Sequence, residues 1–63
     1  MKRRDLLARL RGEGCVLVRT VGRHDFYRNV LTGACQPVPR HREINEYTAR
    51  GIIRELSAPG SGK

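Results

Sequence analysis

Two apolar triplets of the same spacing stand near the two ends of the chain: Leu6, Leu7 and Leu10, then Ile52, Ile53 and Leu56, each at i, i+1 and i+4. That spacing paints one stripe along a helix. Between the triplets the apolar residues fall in short β-branched or aromatic runs cut by glycines, such as Cys15-Val16-Leu17-Val18-Arg19-Thr20. Such runs are too short for helices and read as strands. The chain therefore has two helical stripes to bury and one sheet face to bury them on. The expected fold class is α+β in the order α-β-β-β-α, a three-stranded antiparallel sheet with two helices on one face.

The first helix is expected over residues 2 to about 12, ended by Gly12 and Gly14. The last should reach about Leu56, with Asn45 or Thr48 as its N-cap. Gly51 inside that helix costs about 1 kcal/mol relative to alanine, and close packing is the only reason the sequence offers for it. The first strand covers Cys15 to Thr20. Strict alternation puts Val16 and Val18 on one face and Leu17 and Arg19 on the other, so one side should pack on the helices. The second strand runs from about His24 to Val30, and Leu31-Thr32-Gly33 turns the chain into a third from about Ala34 to Val38. Phe26 and Tyr27 point to opposite faces, one to the core and one to the open sheet. Pro37 and Pro39 cannot donate ladder hydrogen bonds, so the third strand lies at an edge or ends there. Such an edge can accept a strand from an inhibitor protein. Residues 1–57 are expected to form one domain, and 58–63, small, polar and rich in Gly and Ser, a disordered tail.

Thirteen Lys and Arg against six Asp and Glu give a net charge of +7, and twelve of the thirteen lie before residue 55. The positive charge belongs to the folded part and suits nucleic acid, an acidic protein or an anionic membrane surface. No apolar run approaches the roughly 18 residues of a membrane span, and the first residues lack the apolar core of a signal peptide. The expected location is cytoplasmic. Cys15 and Cys35 then read as reduced, partly buried thiols. Adding His24 and His41 gives two Cys and two His, but close ligand pairs such as Cys-x-x-Cys are absent, so no metal site and no cofactor are expected.

One stretch carries candidate chemistry. Gly22 permits positive φ, so the strand ending near Thr20 can reverse and restart at His24, at the mouth of a hairpin. A histidine's ordinary pKa of about 6.5 lets it give or take a proton near neutrality. Asp25 follows it directly but alternates to the other face and cannot form a dyad with it.

Asp5, Leu6, Gly14, Arg19, Gly22, His24, Tyr27, Val38, Pro39, His41 and Thr48 follow, in order and at compatible spacing, the pattern of HicA-type toxins. Over roughly residues 1 to 57 the chain resembles that family, with Arg23 where the family has serine and Cys15 where it has a large aromatic. The resemblance implies a fold like the double-stranded-RNA-binding domain and the toxin of a type II toxin–antitoxin system. It further implies an mRNA interferase, an endoribonuclease cutting single-stranded messenger RNA but not DNA, with a HicB-type antitoxin masking His24. On that reading His24 is the general base or acid and His41 a possible second one. Lys2, Arg3, Arg4, Arg19, Arg23, Arg28, Arg40 and Arg42 are the candidate RNA contacts. The alternatives are a non-catalytic RNA-binding module of the same fold and a basic protein-interaction domain.

Overall fold

The computed structural model describes residues 1–57, so the expected tail over 58–63 lies outside the described residues. The elements are α1 (Arg3–Gly12), β1 (Cys15–Val21), β2 (His24–Asn29), β3 (Cys35–Pro39) and α2 (Glu46–Leu56). The sheet is antiparallel in the order β1-β2-β3. Fold order and class are those expected, and the element boundaries hold or move by one residue.

Both helical stripes are buried. Leu6, Leu10, Ala49, Ile52 and Leu56 pack with Cys15, Tyr27, Val38 and Ile44, and Leu7 and Ile53 lie against that core half-covered. At about 25 cal/mol per Å² of buried apolar surface, a handful of such side chains is the main stabilising contribution in a chain this short. Asn45, not Thr48, caps α2: its Oδ1 accepts from the amides of Tyr47 at 2.8 Å and Thr48 at 3.4 Å. Gly51 contradicts the packing expectation, since a Cβ there would meet only the Arg54 side chain, at 4.0 Å.

Register decides the aromatics. Cys15 pairs with Asn29, Leu17 with Tyr27 and Thr20 with Asp25, while Asp25 also pairs with Val38. Asp25, Tyr27 and Asn29 therefore face the helices, and His24, Phe26 and Arg28 face away. Tyr27 is the core ring.

Strand β1 departs from its expected alternation. Leu17 pairs with Tyr27 but Arg19 pairs with Phe26, leaving Val18 as an extra residue in a β-bulge. One added residue reverses every later side chain. Arg19 thus leaves the face of Leu17 and lies over the Phe26 ring, its guanidinium carbon 4.9 Å from the ring centroid. Past Cys15 no residue of β1 is buried, and Val16, Leu17 and Val18 stay 47, 52 and 46% exposed, so the expected packing of one whole side of β1 on the helices does not occur. Cys35 is likewise exposed, not partly buried, while Cys15 is buried; both thiols are free. Burial pushes the Cys15 thiol up.

Two polar side chains lie among the apolar ones. Asn29, fully buried, donates from Nδ2 to the carbonyls of Leu56 at 2.6 Å and Glu13 at 3.1 Å, and its Oδ1 accepts from the amides of Leu31 at 2.8 Å and Thr32 at 3.3 Å. One amide thereby joins the ends of both helices to the β2–β3 turn. At the other end of β2, Asp25 accepts from Thr20 Oγ1 at 2.7 Å and from Arg3 Nη2 at 2.5 Å, with Arg40 Nε 3.6 Å away. The Thr20 hydroxyl, then the Arg40 and Arg3 guanidiniums, hold its carboxyl below the usual aspartate range.

Candidate active site

The head of the sheet is built by two pairings of one residue. His24 pairs with Val21 across β1–β2 and with Pro39 across β2–β3. Gly22 takes φ 59 and Arg23 does not take a positive φ, the pattern of a type II′ turn, whose twist matches that of the flanking strands. The amide of Arg40 closes the head by donating to the carbonyl of Arg23 at 3.3 Å. Arg23, His24, Pro39 and Arg40 are thus neighbours through backbone geometry alone.

His24 is exposed, and it lines an open groove of about 280 Å³ with Pro39, His41, Glu43, Ile44, Asn45 and Thr48. The β2–β3 ladder sets one wall and the start of α2 the other. Two imidazoles therefore meet one solvent-open space, from positions seventeen residues apart. An imidazole in such a space can accept a proton from an approaching hydroxyl, and a second can supply one to a leaving oxygen. Asp25 takes no part in the groove, being turned to the helices and held there.

The candidate cations divide into three groups. Arg23 and Arg40 lie at the head of the sheet beside His24, Arg40 with its Nε 3.6 Å from Asp25. Arg19 lies over Phe26 on the open face, and Arg28 lies on that face at the foot of β2, away from His24. Lys2, Arg4 and Arg42 gather instead at the start of α1. Arg3 stands between them with its guanidinium committed, donating from Nε to the Pro39 carbonyl at 2.9 Å as well as to Asp25. It braces the strand residue that pairs with His24.

Sequence reasoning missed this brace, and it missed Glu43, Asn45 and Thr48 as walls of the groove. The signal for Arg3 was present: a cation in the first turn of a helix opposes the helix dipole and asks for a compensating partner. Nothing local in the sequence places that partner twenty-two residues away.

Among the described residues no three His, Cys, Asp or Glu side chains converge as metal ligands, and no helix is long and apolar enough to cross a membrane. No curated protein and no solved structure shows significant similarity to the chain. A family model described as the HicA toxin of bacterial toxin–antitoxin systems matches residues 3–57, from the first residue of α1 to the residue after α2. The match takes in every element of the fold and the whole of the His24 groove, and the chain belongs to the HicA toxin family.

Proposed function

We propose that the protein is a metal-independent endoribonuclease acting on messenger RNA, with His24 as general base. In this reaction neutral His24 takes the proton of a ribose 2′-hydroxyl. The oxygen forms a bond to the adjacent phosphorus, the bond from phosphorus to the 5′-oxygen breaks, and that oxygen takes a proton from His41 or water. The products carry a 2′,3′-cyclic phosphate and a free 5′-hydroxyl. The nucleophile and the leaving group both belong to the RNA, so the protein has only to move protons and stabilise charge on the phosphate. Arg23, beside His24, supplies that charge where the family carries a serine hydroxyl, and Arg40 adds to it with a guanidinium that it shares with Asp25.

The observation that carries this reading is that His24 and His41 line one open groove, with Arg23 next to His24 in the chain and Arg40 hydrogen-bonded to Arg23 at the head of the sheet. A HicB-type antitoxin covering His24 is the partner that membership of a toxin–antitoxin family supports. Exposure of His24 at the head of the sheet means that a protein seated there closes the groove to RNA.

The decisive experiment compares the wild type with His24→Ala on one labelled single-stranded RNA and its DNA counterpart, in excess chelator. Cutting of RNA alone, lost in the variant while salt-dependent binding persists, supports the reading. Binding without cutting by either protein sinks it and leaves a non-catalytic RNA-binding module.

A further inference from the structure

On the other side of the 41–43 segment lies a second concavity of about 490 Å³, lined by Lys2, Arg3, Arg4, Leu7 and Arg42. The segment is a common wall: His41 and Glu43 line the first groove and Arg42 the second. The Arg3 amide donates to the Arg42 carbonyl at 2.9 Å and Lys2 pairs with Glu43 in an isolated bridge, fixing that wall to the start of α1.

Arg3 is neutralised by Asp25, but Lys2, Arg4 and Arg42 are exposed, and among the described residues none of the three forms an ion pair. Their mutual repulsion destabilises the folded state, and Lys2 and Arg4 also stand at the positive end of the helix dipole. A bound anion would offset both costs. Leu7 is the one apolar side chain in the lining. Protein interfaces are anchored by buried aromatic and apolar groups, whereas a polyanion needs only converging cations and the release of its counterions.

We infer that this concavity is a second phosphate subsite, holding a backbone phosphate of the same RNA strand whose scissile phosphate lies at His24. The identity of the strand rests on the ribonuclease reading above. The strand crosses the 41–43 wall, so the substrate is an RNA long enough to occupy both sides of it, and lengthening a short RNA across the wall adds affinity.

The test measures binding of a labelled single-stranded RNA against salt, in a His24→Ala background that keeps the strand intact, for three proteins: no further change, Arg4→Gln, and Lys2→Gln/Arg4→Gln/Arg42→Gln. With all three cations neutralised, the slope of log affinity on log salt becomes shallower by roughly 0.7, the contribution of one phosphate on a single strand, and Arg4→Gln alone gives a smaller change in the same direction. The corresponding loss in cleavage with His24 present appears as a raised KM. An unchanged slope in a folded triple variant overturns the inference, and so does a variant that keeps its RNA slope but no longer binds the antitoxin. If the parent protein binds RNA but the wild type does not cut it, the role of His24 fails while the slopes still decide the subsite. If neither protein binds RNA, both fall.

Discussion

Arg3 and Asp25 meet across the helix face of the sheet at 2.5 Å, the first turn of one helix locked to the second residue of the central strand. Asp25 is 6% exposed, so its charge is tolerable only because Thr20, Arg3 and Arg40 surround it. The same guanidinium holds Pro39, which pairs with His24. Stability and the position of the candidate base are joined at this contact.

The pH dependence follows from the sign of the Asp25 shift. Its folded pKa lies below the ordinary value of 3.8, so the unfolded chain binds the proton more readily. The contribution is therefore complete above the unfolded value and disappears as pH falls through the folded one. Thermal melts from about pH 5 to about pH 2 should show the wild type losing stability more steeply than Asp25→Asn. Parallel curves would remove the ion pair from this role.

Replacing Asn29 by alanine should be costly. It removes the side-chain partner of the Leu31 and Thr32 amides and of the Glu13 carbonyl, and leaves the buried Leu56 carbonyl only the Cys15 thiol at 3.5 Å; each unsatisfied buried group costs about 1–3 kcal/mol. A loss of stability of roughly 2–4 kcal/mol in urea is expected, with some of the stranded groups reaching water. Asn29→Asp should be at least as damaging, because a carboxylate would then face the carbonyls of Leu56 and Glu13.

Gly51→Ala should stabilise the protein. The site is inside α2 and open, so the substitution removes the glycine entropy cost of about 0.5–1 kcal/mol without a clash. For a domain of this size that corresponds to a rise in Tm of roughly 2–8 °C. A fall in Tm would show that the added methyl is not accommodated at this position of α2.

On RNA, His24→Ala should lower the cleavage rate by roughly 10²–10⁴-fold, the usual contribution of a general base. His41→Ala should have the smaller effect, since water can protonate the leaving oxygen in its place. A greater loss at His41, measured as single-turnover rates on the same strand, would exchange the two assignments.

The paired triplets around Leu6 and Ile52 made the helices legible, and the glycine at position 22 made the hairpin legible, because both signals are local. The Val18 bulge was not, since alternation counts residues and has no term for an added one. In the sequence Arg3 stands only as a candidate RNA contact and Asn29 carries no signal of its own, because their partners come from other elements and only the packed fold supplies them. His24 and His41 were each visible as candidates, but their shared groove depends on the register that sets His24 against Pro39 and on the path of the 41–43 segment.

The central strand is fastened at both ends, by Asp25 near the head and by Asn29 at the foot, four residues apart and facing the same way. Its length is therefore fixed: one residue inserted or deleted between them would turn one of these side chains out to solvent. The outer strand already accommodates a surplus residue at Val18 and carries no buried side chain beyond Cys15. Changes in chain length should accumulate in β1 and be excluded from β2, so insertion tolerance along this hairpin is set by one strand serving as the ruler and its neighbour as the slack.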